Sequence, residues 1–113
     1  MTRNEIIAQI KASLQDSDVS KVILFGSYSK GTQTNDSDID LLVVTNDAFL
    51  PDSFARKMEI KLKIANALHT LRKYADLDLI VHTRPMHEKF IELNSSFKRE
   101  LLSTATVIFE ANN

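Results

Sequence analysis

The chain has 113 residues, 43% of them apolar and 26% charged, which suits one domain with its own core and excludes a disordered segment. With 14 Lys and Arg against 15 Asp and Glu the net charge is −1, which argues against an unaided grip on duplex nucleic acid. There is no cysteine, hence no disulfide or thiolate metal site, and neither a signal-like N-terminus nor 18 consecutive apolar residues; a single cytoplasmic domain over residues 1–113, with no membrane span, is expected.

Thr2-Arg3-Asn4-Glu5 reads as a capping box, and Ile6, Ile7, Ile10 and Leu14 follow at helical spacing. A first helix is predicted from Thr2 to about Gln15. Val22 to Phe25 is a short apolar run that stops at Gly26, as a buried strand would. Ser27 to Asn35 is a polar turn region that opens with a helical turn. Asp38 to Val44 is a second strand whose first half alternates acid and apolar residues. Pro51-Asp52-Ser53 begins a long helix reaching about Tyr74, with Phe54, Met58, Leu62, Ala65 and Leu68 on one side. Asp76 to His82 is a third strand, and Pro85 ends that segment. Glu88–Leu93 and Ser96–Leu102 carry weaker helical patterns, and Thr106–Phe109 suits a short last strand.

The order is α-β-β-α-β-α with an added edge strand, an α/β (α+β) chain with a three- to four-stranded sheet and helices packed on it. Strands two and three, joined through a helix, should be parallel with a right-handed crossover; strands one and two, joined by a turn region, should be antiparallel. Connectivity alone then gathers Gly26-Ser27, Asp38, Asp40, Asp76 and Asp78 at one edge of the sheet.

Strand residues two apart share a face and lie roughly 6.5–7 Å apart. Asp38 and Asp40 therefore project together, while Ile39 and Leu41 face the opposite layer. Adjacent carboxylates repel unless a cation lies between them, and an all-oxygen set favours magnesium over zinc. A third acid from strand three would complete a site for two ions, able to clamp the attacking and leaving oxygens of an in-line phosphoryl or nucleotidyl displacement. Asp78 is favoured over Asp76 because it abuts the apolar run. Gly26 lets the backbone approach an anion, Ser27 can donate to phosphate oxygens, and Lys30 can balance phosphate charge.

Gly26-Ser27, ten intervening residues and Asp38-Ile39-Asp40, flanked by the apolar runs VILF and LLVV, resemble the GS-x10-DxD signature of the DNA polymerase beta-like nucleotidyltransferase superfamily. At this length the chain looks like the minimal nucleotidyltransferase branch, often encoded beside a HEPN-domain partner. The resemblance implies a mixed sheet backed by helices, with Gly26 and Ser27 holding a nucleoside triphosphate and Asp38 and Asp40 binding both magnesium ions. It makes Asp78 the third carboxylate, which binds the catalytic metal and helps deprotonate the acceptor hydroxyl. Lys30-Gly31 stands where many relatives have Arg-Gly, which keeps charge but loses bidentate phosphate binding. ATP as donor and a protein as acceptor follow from the resemblance only. An antitoxin acting mainly by binding a HEPN-type partner, and a nucleotide-binding domain without turnover, are the alternatives.

Other features read more plainly. Asp36 and Ser37 suit turn and cap positions. His82 shares the face of Asp78 but lies roughly 13 Å along the strand, so His82, like His69 and His87, reads as a surface histidine. The long helix is basic, with Arg56, Lys57, Lys61, Lys63, Arg72 and Lys73 against Glu59, and carries a second apolar stripe of Ile60, Ile64, Ala67 and Leu71. A neighbouring helix or another chain would cover that stripe. With no appended acceptor-binding domain, the chain is expected to meet its acceptor through a partner or self-association. A nucleic acid enters only as an acceptor.

Overall fold

The computed structural model describes residues 1–93 and 95–111. In chain order these form α1 (Arg3–Leu14), β1 (Val19–Phe25), α2 (Gly26–Lys30), β2 (Ile39–Thr45), α3 (Phe54–Ala67), β3 (Leu77–His82), α4 (Arg84–Glu92), α5 (Ser96–Thr104) and β4 (Thr106–Glu110). The sheet runs β3-β2-β1-β4; β2 and β3 are parallel, and β1 is antiparallel to both β2 and β4. The mixed sheet and its connectivity are those expected from the sequence.

The capping box forms as its spacing predicts. Thr2 Oγ1 accepts the Glu5 N–H at 3.1 Å and the Glu5 carboxylate accepts the Thr2 N–H at 3.0 Å, satisfying two orphan donors at the start of α1. Strand alternation then sorts the core. Val22, Leu24, Ile39, Leu41, Val43 and Leu79 face one layer and pack with Ile6, Ile10 and Leu14 of α1. The opposite parity, Ile23, Leu42 and Val44, gathers Phe25, Ile80 and Ala105 into a smaller cluster. This less covered face carries the candidate site.

Three expectations about the helices are corrected. The long helix does not run unbroken to Tyr74: α3 ends at Ala67 and a 3-10 turn, His69–Lys73, follows. Leu68 N–H reaches the carbonyls of both Ile64 and Ala65, at 3.1 and 3.2 Å, marking the tightening. In 3-10 geometry residues three apart eclipse, so Leu68 and Leu71 enter the core together. The stripes on α3 are also divided, with Ala65 and Leu68 of one packing in the core beside Ile64 and Leu71 of the other. Ile64 is 4% exposed and joins the main core, whereas Phe54 and Leu62 are 78% and 53% exposed. The side that meets the core lies between the two stripes, and spacing alone does not fix that rotation. Finally, α4 begins at Arg84, ahead of the expected Glu88. Thr83 caps it and Pro85 occupies its first turn, where a missing N–H costs nothing.

Candidate active site

β1 ends where Gly26 turns the chain. Register places Phe25 opposite Asp40, and Asp40 opposite Asp78 on the parallel side. One row across three strands therefore brings the glycine turn and two carboxylates together, on the face that Leu42 and Ile80 share. The Asp40 and Asp78 carboxyls therefore face one another across the β2–β3 pair. Burial first, then the charge and hydrogen bond of Asp78 and the charge of Asp38, push the Asp40 carboxyl up to about 6.

Gly26 has φ +72°, and a Cβ built on it would overlap the Asp40 carboxylate and lie 3.1 Å from Asp40 Cγ. Glycine is thus required twice, for the backbone conformation and for the room. Its N–H, however, donates to Thr104 Oγ1 at 3.2 Å, so that amide holds the turn in place rather than facing a ligand. The five-residue α2 closes on Gly31, at φ +75°, with the N–H groups of Gly31 and Thr32 donating to the Ser27 carbonyl. Tyr28 anchors α2 in the main core. Ser27 is half-buried at its start, and Lys30 is exposed at its end, lining a hollow with Gly26 and Asp40.

Asp38 precedes β2 and lines a different, polar hollow of about 300 Å³ with Asp36, Asp76, Arg72 and Lys73. The Asp76 carbonyl accepts the Ile39 N–H at 2.8 Å and so starts the parallel ladder. Asp36 and Ser37 do shape the turn: Ser37 Oγ accepts the Thr34 N–H at 2.9 Å, and the Asp36 N–H donates to Thr34 Oγ1 at 3.3 Å. The structure therefore brings Asp40 and Asp78 together and leaves Asp38 and Asp76 on the rim. Among the described residues no three His, Asp or Glu side chains converge closely enough to hold one ion. The donor chemistry nonetheless fits a hard dication. Asp40 and Asp78 present crowded carboxylate oxygens, and the exposed Asp38 lies near enough for its charge to act on Asp40.

The histidines differ in part from expectation. His69 is exposed, but His82 and His87 are half-buried, their Nδ1 atoms 3.3 Å apart, with Phe90 within 5.2 Å of the His82 ring. Burial, then His87 and Lys57, bring His82 down to about 4; burial and Lys21 lower His87. This aromatic cluster fastens α4 to the end of β3 opposite the carboxylates.

Sequence reasoning missed the side chains that hold α2 in place. Ser29 O–H donates to the Thr104 carbonyl and lies 2.6 Å from Thr106 Oγ1. Arg3 donates to the Ser29 carbonyl at 3.0 Å and to Thr106 Oγ1 at 3.1 Å. These partners are up to 103 residues apart in the chain, and no local spacing signals them.

Known proteins match this arrangement over most of the chain. The family model for polymerase beta nucleotidyltransferases covers residues 8–113. The protein adenylyltransferase MntA of Shewanella oneidensis is 36% identical over 80 residues, 71% of this chain and 50% of MntA. The chain thus spans about half the length of that relative. Among solved structures, a toxin–antitoxin with AMP-PNP aligns with a TM-score of 0.53 at 23% identity, over 99% of this chain and 76% of that one. A mutant of the toxin–antitoxin MntA–HpeT aligns with a TM-score of 0.50 at 25% identity, over 99% and 75%.

Proposed function

Because the chain belongs to the polymerase beta nucleotidyltransferase family, we propose that it moves AMP from ATP to a hydroxyl of a partner protein, with Asp38, Asp40 and Asp78 holding magnesium. The observation that carries this reading is the row Phe25–Asp40–Asp78, which sets a glycine turn beside two facing carboxylates. The nucleotide and the protein acceptor draw support from the relative named as a protein adenylyltransferase. A protein partner, of HEPN type by the resemblance, draws support from toxin–antitoxin neighbours. Among the described residues no helix is long and apolar enough to cross a membrane.

In this reading Gly26 makes room for the Asp40 carboxylate beside the turn, Ser27 donates to the triphosphate oxygens, and Lys30 offsets their charge. The acceptor oxygen attacks the α-phosphorus, the bond to the β-phosphate oxygen breaks, and pyrophosphate leaves. Asp78, exposed at the mouth, takes the hydroxyl proton. Bound magnesium would neutralise the phosphate charge and stabilise both the attacking and leaving oxygens. Arg72 and Lys73, on the polar rim beside Asp38, are placed to meet an acidic acceptor segment.

Asp78→Asn and Asp76→Asn form the test. In a transfer assay with the co-purified partner, Asp78→Asn should lose at least about 100-fold in rate, the usual scale for a group that moves a proton. Asp76→Asn should stay within a few-fold of wild type, since the backbone carbonyl of Asp76 performs its structural role. The reverse order would remove Asp78 from the mechanism.

A further inference from the structure

A hollow of about 260 Å³ opens beside the carboxylates, with Lys30, Asp40 and Glu100 among its charged walls and Phe25, Phe97 and Leu101 among its apolar ones. We propose that this hollow seats the base of the nucleotide, with the Phe97 ring as its stacking platform; the inference rests on the nucleotidyl-transfer reading above. A nucleotide is anionic at one end and flat and apolar-faced at the other; Lys30, together with magnesium held at Asp40, would meet the first, and Phe25 and Phe97 supply apolar walls for the second. Phosphates held at Gly26 and Ser27 would direct the nucleoside along Phe25 toward α5.

Phe97 is 50% exposed, which leaves part of its ring open to a ligand in the hollow. Its position is nonetheless set. Leu101, one turn on along α5, is 2% exposed and roots the helix. Phe90 meets the Phe97 ring edge-on, with centroids 6.1 Å apart and planes at 70°, and is itself stacked on His87. A ring braced in this way loses little freedom when a base stacks on it. The volume is about that of eight or nine waters at liquid density, enough for one base and too small for a helical segment.

The test is calorimetric titration of the intact protein in magnesium with two probes: α,β-methylene-ATP, which cannot release pyrophosphate, and inorganic tripolyphosphate, which has no base. Wild type should bind the ATP analogue more tightly than tripolyphosphate. Phe97→Leu, which keeps apolar bulk and removes the ring, should weaken the analogue about tenfold, within the range for a base-stacking aromatic, and leave tripolyphosphate unchanged. Phe97→Trp should match wild type or bind more tightly. Equal affinity of wild type and Phe97→Leu for the analogue overturns the base seat and leaves the transfer reading standing. Equal losses for both probes make Phe97 structural and also overturn it. If wild type binds neither probe, the transfer reading itself fails and takes this inference with it.

Discussion

Asp40 carries the sharpest conflict in the molecule, a half-buried carboxylate facing Asp78 and close to Asp38. Its pKa of about 6 means that at pH 7 the fold holds a charge it disfavours. Asp40→Asn should therefore stabilise the metal-free protein, by roughly 1 kcal/mol once solvent screening of this partly exposed group is allowed for. Magnesium should reverse the comparison, raising the melting temperature of wild type by mass action and that of the variant much less. Thermal melts with and without magnesium check both halves; equal magnesium shifts in the two proteins would take Asp40 out of the ion site. Asp40 and Asp78 were legible as a pair because strand residues of equal parity share a face and connectivity fixes the edge, whereas Asp38, expected beside them, precedes β2 and lines a separate hollow. That the Gly26 amide is already bonded to Thr104 was not legible, since that partner lies 78 residues away.

At the scale of elements, α3 shows where periodicity loses its power. Two apolar stripes lie along it and the turn that follows, and the core takes Ile64 and Leu71 from one and Leu68 from the other. Ile64→Asp should unfold the domain, at a cost of about 3–5 kcal/mol from lost burial and an unpaired buried charge. Leu62→Asp, on the exposed stripe, should stay within about 0.5 kcal/mol of wild type. Circular dichroism during urea titration separates them, and a native, fully stable Ile64→Asp would contradict the packing. The 3-10 turn was hidden for a related reason: Leu68 and Leu71 satisfy helical spacing equally well, and only their joint burial selects the tighter winding. The basic character of α3 was legible, and part of it is spent locally. Arg56 pairs with Glu59 at 3.1 Å and lies over the Phe49 ring.

At the scale of the whole molecule the sheet divides labour between its ends: carboxylates at one end of β3, the His82–His87–Phe90 cluster at the other. The two ends respond oppositely to acid. Asp40, with a raised pKa, contributes stability that is present at low pH and lost as pH rises from about 4 through about 6; His82, depressed to about 4, contributes stability that is present above about 6.5 and lost as pH falls toward 4. Wild-type stability should thus vary weakly over this window. Asp40→Asn should fall steadily on acidification and His82→Phe should rise, and chemical denaturation at pH 4.5, 5.5 and 7 reads both slopes. Like slopes in the two variants would mean that these groups do not set the profile. The mixed sheet itself was legible from turn lengths, whereas the docking of α4 through half-buried histidines was not, because such an imidazole and a surface one look alike in sequence. The central claim, nucleotidyl rather than phosphoryl transfer, is tested most directly by incubating the protein and its co-purified partner in magnesium with ATP labelled at either the α- or the γ-phosphate. Label from the α-phosphate should become bound to protein, with pyrophosphate released, and should be lost in Asp40→Asn; label arriving from the γ-phosphate, or α-label transfer undiminished in that variant, would contradict it.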